Sequence, residues 1–314
     1  MRRYVVRRLL QLIPILFVIT FLSFGMMRLA GSDAVLQKME NTGMAVSQEV
    51  IDAARRELGL DKPFLTQYFI WLGGLFRGDM GTSYISGQKV LPVFLSRLPA
   101  TLLLAAASLF LTVLVSVPFG LLAAVRRDRL PDYLVRAASF AGNSMPGFFT
   151  ALLLLYVFAV RLGWLPVISR RTDLRGVILP ALTLAVAMSS RYVRQVRAAV
   201  LEELNRDYVA GAKARGVRFP VILAGSVLRS CLSSLLTLFS LSIGSLLGGT
   251  AVVESIFMWD GVGKLAVDAI SMRDYPMIQA YVMWMAILYS GVNLLMDLCY
   301  RMLDPRIRLG GAKE

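Results

Sequence analysis

The sequence predicts an all-α membrane protein with six transmembrane helices, and three observations carry that prediction. Of 314 residues, 57% are hydrophobic and 17% charged, where soluble domains run near 25% charged. Six runs without a charged residue make up about two-fifths of the chain, more apolar sequence than one globule of this size can place in a core. The net charge of +14 is distributed between those runs as membrane loops distribute it, which argues against a nucleic-acid surface.

In chain order the runs are Leu9–Met27, Leu98–Val125, Ala137–Val160, Gly176–Ser190, Ser230–Val253 and Tyr275–Met296. A spanning helix needs roughly 20 apolar residues. Only the fourth run is clearly short, and Arg175 and Arg191 at its ends can snorkel to extend it. With the N-terminus assigned to the cytoplasm, the inner segments carry twenty Lys and Arg and the two short outer loops carry six. The long outer segment is exempt from this comparison, so both termini are expected in the cytoplasm.

Residues 1–8 form the basic cytoplasmic start, and 9–29 the first transmembrane helix. Small residues at Ala30, Gly31 and Ser32 resemble a cleavage site, but the preceding apolar run exceeds the 7–15 residues of a signal core. The helix is therefore expected to be retained. Residues 30–96 are the extracytoplasmic segment. Within it Ser47 can cap a helix that carries Glu49 and Asp52 early, Arg55 and Arg56 late, and Gly59 as its stop. Pro63 suits a first helical position. The aromatics that follow, Phe64, Tyr68, Phe69, Trp71 and Phe76, suit either anchoring at the lipid interface or docking of a partner. GDMGTSY then leads to the second span.

Residues 97–300 hold the five-helix core, and 301–314 a cytoplasmic tail. Pro118, Pro146, Pro180 and Pro276 start or kink the core helices. In the fifth run Ser240, Gly244 and Gly248 recur every four residues, a spacing that lets another backbone approach closely. Such a face serves tight packing within the chain as well as a pore wall or a helix partner. The cytoplasmic loop 191–229 reads as a helix leaving the membrane, a short helix through Ala210 and Ala212, a turn at Gly216 and a second short helix. Tyr192, Val193, Val196 and Val200 give it an apolar stripe beside Arg191, Arg194 and Arg197. It is either a basic loop against lipid phosphates or a compact knob for a cytosolic partner.

Several chemistries are excluded. There is no histidine, no Cys-x-x-Cys and no acidic cluster in a run, so a zinc site and a Ser-His-Asp triad are absent. Cys231 and Cys299 fall at expected cytoplasmic ends, where thiols stay reduced. Ion-coupled carriers keep carboxylates or histidines in their spans, and these runs contain none. DGVGKLA lacks the P-loop pattern, with Met258 and Leu265 where Gly and Ser or Thr are required. The chain is expected to be no enzyme, to bind no cofactor itself, and to draw its energy from a partner.

DYVAGAKARGV, followed by Leu228, resembles the cytoplasmic loop of bacterial ABC-transporter permeases, whose pattern is Glu-Ala-Ala, three residues, Gly, nine residues, Ile-x-Leu-Pro. Here Ala210 stands at the Glu position, Gly211 and Ala212 at the two Ala positions, Gly216 at the Gly, and Ser226, Val227, Leu228 and Arg229 at the last four. MRRYVVRRLLQLIP, GLDKPFLTQY, GDMGTS, RLPATL, SMPGFF, VVESIF, GVGKLAVDAI, RDYPMIQA and LDPRIR extend the resemblance over the whole chain, to the peptide and nickel branch of that family. AVRRDRLPDYLVR and RLPATL are more similar to nickel permeases. Asp260 departs from the Pro usual before the Gly. The resemblance implies the ABC importer type I permease fold in the bacterial inner membrane. It implies a second related permease, two cytoplasmic ATPase subunits that bind ATP and Mg, an extracytoplasmic solute-binding protein, and membrane lipid as partners. The loop residues Asp207, Ala210, Gly211, Ala212, Gly216 and Leu228 would couple to the ATPase. The cargo it implies is nickel, chelated because the runs hold no ligand for a bare ion, with dipeptide or oligopeptide import as the alternative. A non-transporting assembly protein is a further alternative from another class.

Overall fold

The computed structural model describes residues 2–29, 61–168 and 174–303, with positions 49, 52, 53 and 56. The expected cap at Ser47, the stop at Gly59, the small residues 30–32 and the tail beyond residue 303 lie outside them. The described residues form eleven α-helices: α1 Arg2–Leu29, α2 Phe64–Phe76, α3 Val90–Val125, α4 Leu130–Ser144, α5 Gly147–Leu154, α6 Ile178–Leu204, α7 Asp207–Ala214, α8 Phe219–Ile222, α9 Leu228–Ile256, α10 Val262–Ser271 and α11 Tyr275–Leu303. α5 runs on as a π-helical segment, Leu155–Arg161, and α8 as another, Leu223–Val227.

Among the described residues four helices are long and apolar enough to cross a membrane, Arg8–Leu29, Val90–Val125, Arg175–Leu204 and Tyr275–Leu298, and five if a bent pair counts as one. That pair corrects the third predicted span. Residues 130–144 and 147–161 meet at 103°, inside the SMPGFF motif. The cause is local. A residue before proline is driven out of the α region, and Met145 takes φ −82°, ψ 127°, while Pro146 itself is extended at ψ 140°. The amides of Phe149 and Thr150 then donate to the Pro146 carbonyl at 3.0 and 3.1 Å, starting α5 in a new direction.

Two further expectations shift. α3 begins at Val90, eight residues before the charge-free run, because VLPVFLS ahead of Arg97 is itself mostly apolar and one arginine ends a charge-free run without ending a helix; its 36 residues span roughly 54 Å at 1.5 Å per residue. Pro63 caps α2 from just outside, with Phe64 as the first helical residue. The chain also carries buried carboxylates that a search for charge-free runs passes over. Asp132 and Glu254 are both fully buried, and α9 extends past the fifth run to enclose Glu254.

The helices divide into two compact units, Met1–Thr101 with Asp260–Ser290, and Leu102–Trp259 with Gly291–Glu314. In the first unit α2 lies along α1 through its aromatic side chains. Tyr68 is fully buried and meets Phe17, Phe21 and Phe24 edge-on at 5.2–5.8 Å, and its hydroxyl is 3.0 Å from that of Thr20. Phe64 and Trp71 join the same contact, whereas Phe69 and Phe76 stay exposed. The aromatic stretch is thus divided between an internal seam and an outward face. The unit's core gathers Met80, Val90, Phe94, Val262, Leu265 and Met277. Trp284 stacks on Phe94 and donates its indole N–H to the Met80 sulfur at 3.3 Å.

Charges fix the loops of this unit. Asp274 accepts from the Ser83 hydroxyl and from the Tyr84 amide, the latter at 3.1 Å, tying GDMGTSY to RDYPMIQA. Asp260, where the resemblance leads one to expect Pro, pairs with Arg97 of RLPATL at 2.8 Å. The departure therefore adds an ion pair between α3 and the turn that precedes α10.

The second unit is built on α6, which packs against α4, α5 and α9. Glycine allows two of its approaches: a Cβ on Gly120 would lie 2.6 Å from the Val196 Cβ, and one on Gly142 2.1 Å from the Ser190 Oγ. Both are closer than side chains pack. Tyr192 of α6 hydrogen-bonds Ser242 of α9 through their hydroxyls, both buried. The predicted stripe on α6 is buried throughout, with Val196 and Val200 at zero exposure.

Candidate functional site

The loop between α6 and α9 has the clearest built geometry for a partner. α7 starts at Asp207, whose carboxylate suits the positive end of a helix. It ends in a Schellman turn: the Gly216 amide donates to the Lys213 carbonyl at 2.9 Å, and the Val217 amide to Ala212 at 3.1 Å. Gly216 sits at φ +76°, a conformation that costs a residue with a Cβ about 1–2 kcal/mol. Arg218 then caps α8, with Pro220 in its first turn.

The knob has its own apolar floor. Val209 of α7 and Ile222 of α8 meet Val196 and Val200 of α6, Ala124 of α3, Val227 and Cys231. The Lys213 ammonium lies 5.7 Å over the Phe219 ring, joining α7 to α8. The Tyr208 hydroxyl donates to Glu203 at 2.8 Å. Burial first, and then this carboxylate, push the phenol above its ordinary pKa, so it remains a donor across physiological pH.

The candidate residues do not all face outward. Asp207, Ala210 and Gly216 are exposed, while Gly211, Ala212 and Leu228 are half-buried. Ala212 packs against the floor. Ala210 is the one that opens outward. On α9, Gly244 is half-buried, and the side chains at 240 and 248 lie outside the description. Ser242, Leu246 and Thr250 are buried. Two residues turn a helix by about 200°, so Gly244 falls on the face opposite Ser242, which meets α6.

Sequence reading missed the ion pair beneath the loop. Arg197 donates from Nε and Nη2 to the two carboxylate oxygens of Asp132, both at 2.7 Å. Asp132 also accepts from the Asp128 amide at 3.0 Å, where Asp128 takes φ 58°. The pair joins the first turn of α4 to α6 at the root of the knob. Arg194, one turn back, lies 5.2 Å over the Phe140 ring of α4. The three-residue spacing of Arg191, Arg194 and Arg197 marked a basic stripe, but a partner 65 residues earlier leaves no local signature.

This architecture can present an exposed helix to a partner, and Lys264 of DGVGKLA is paired with Asp268 at 2.6 Å within α10. Two family descriptions match the chain: "Binding-protein-dependent transport system inner membrane component" over residues 116–309 and its N-terminal counterpart over residues 1–105. The oligopeptide transport system permease protein AppB of Bacillus subtilis (strain 168) is 39% identical, covering 98% of this chain and 99% of its own length. The glutathione transport system permease protein GsiC of Escherichia coli (strain K12) is 36% identical over the same shares. Among solved structures, the MetNI methionine ABC transporter in an inward-facing conformation has the same fold, with TM-score 0.58 at 18% identity, covering 68% of this chain and 97% of its own. The fold is therefore the type I permease fold of ABC importers, and the chain belongs to the binding-protein-dependent transport system inner membrane component family, as a permease subunit without an ATPase site of its own.

Proposed function

We propose that the chain forms half of the membrane pathway of an ATP-driven importer for short peptides. The observation that carries this reading is full-length similarity, at 36–39% identity, to permeases named for oligopeptide and glutathione transport. It replaces nickel as the first choice of cargo. The motifs that suggested nickel carry structural contacts: Asp132 of AVRRDRLPDYLVR holds Arg197 and Arg97 of RLPATL holds Asp260.

In this reading the fifth span is α9, giving six with the bent pair, and both termini are cytoplasmic. The exposed face of α7 seats in a cytosolic ATPase subunit, two of which serve the complex. A second, related permease packs on the 240–244–248 face of α9, and a binding protein delivers peptide from outside the inner membrane. Deleting the gene should lower uptake of a labelled tripeptide severalfold and leave uptake of labelled nickel unchanged. Loss of nickel uptake with peptide uptake intact would reverse the assignment.

A further inference from the structure

We propose that a cavity in the first unit binds the phosphate headgroup of an anionic phospholipid. The cavity, of about 340 Å³, opens where the end of α1, α2, the loop 80–84 and the start of α11 meet. Three cationic side chains line it, Arg28, Arg56 and Lys62, and among the described residues that line it there is no Asp or Glu. Arg28 stands in the last turn of α1, its guanidinium 5.1 Å over the Phe24 ring. The amide of Gln279 and the indole of Trp71 complete the wall.

Among the described residues the lining carries one sign of charge, and such a concave surface concentrates counter-ions, so the ligand is an anion. Its volume sits at the low end of small-molecule sites, about 300–1,000 Å³. That suits a headgroup better than an extended chain. The surroundings decide between a free anion and a lipid. Ile70 lines the cavity and is 55% exposed, and Leu65 and Phe69 on α2 and Met26 and Leu29 on α1 are exposed as well. These apolar side chains continue from the rim along two helices of a membrane-embedded protein. Arg28 follows directly on the first charge-free run, the depth at which headgroups lie. Basic pockets between membrane helices bind anionic headgroups in this way. A phospholipid uses both features, the cationic floor and the apolar flank, whereas a soluble anion leaves the second without a role.

The test uses the full chain, purified, delipidated and titrated with lipid in micelles, with bound lipid counted by native mass spectrometry. Phosphatidylglycerol should bind at least tenfold more tightly than phosphatidylcholine. Lys62→Gln should weaken it about fivefold, as expected for roughly 1 kcal/mol per cation near a membrane surface. Arg28→Gln with Arg56→Gln and Lys62→Gln should reduce it about a hundredfold on the same constants. Neutralising Arg126, Arg127 and Arg129 instead controls for general loss of charge and should leave this site occupied. Lys62 is exposed in a loop, so its variant reports even if the triple variant misfolds. Equal binding of the two lipids, or unchanged binding by Lys62→Gln, overturns the proposal. So does displacement of phosphatidylglycerol by equimolar glycerol phosphate or inorganic phosphate, which would assign the cavity to a free anion.

Discussion

Replacing Ala210 with Trp should leave the chain folded and inserted yet reduce transport by tenfold or more. Ala210 is exposed on α7, so the new indole meets nothing within its own chain. On the proposed docking of α7 in an ATPase socket it overfills that socket, and overfilling a packed site costs about 1–3 kcal/mol, or roughly 5- to 150-fold in docking. Stimulation of ATP hydrolysis by the loaded binding protein should fall with transport. Ala212→Trp serves as the contrast. Its indole would press into the floor formed by Val196, Val200, Val209 and Ile222, so the chain itself should lose stability by about 1–3 kcal/mol. Gly216→Val has open space for its side chain but not the φ of +76°; it should cost about 1–2 kcal/mol locally and misdirect α8. Measured ATPase stimulation together with thermal melting separates the three. Normal coupling in Ala210→Trp would mean that α7 faces solvent or lipid.

Asp132→Ala should destabilise the second unit by about 3 kcal/mol. Removing one member of a buried pair strands the other charge and costs roughly 3–5 kcal/mol. The lower end applies because the Arg197 side chain retains 19% exposure and can reach water. Arg197→Met in the Asp132→Ala background should recover most of the loss, since two apolar groups replace the pair without a stranded charge. Asp132→Asn should fall between, keeping acceptor geometry for one guanidinium nitrogen. Thermal melting in detergent of the parent, Asp132→Ala, Arg197→Met and the double variant closes the double-mutant cycle. An Asp132→Ala chain that melts with the parent would show that α4 is held to α6 by packing alone.

Local chemistry was legible in the sequence where it acts over a few residues. The helix, the turn at Gly216 and the second helix of the loop follow from propensity and one left-handed glycine, and the stripe from Tyr192 to Val200 follows from helical period. What the sequence hid was long-range or depended on a single peptide unit. Pro146 was visible, but an apolar run reads as one helix until the extended backbone at Met145 and Pro146 turns it by 103°. The Asp132–Arg197 pair spans 65 residues, and the Asp274 clasp on GDMGTSY spans 190. The outward choice of Ala210 over Ala212 depends on which face of α7 meets the floor. A motif comparison treats both as small residues.

The most direct measurement of the proposed transport function is uptake into proteoliposomes holding the complete transporter, this chain with its partner permease, ATPase subunits and binding protein. A labelled tripeptide should accumulate only when ATP is supplied to the ATPase side, and excess unlabelled peptide, but not nickel, should suppress it. ATP-dependent accumulation of nickel that peptide does not inhibit would contradict the assignment.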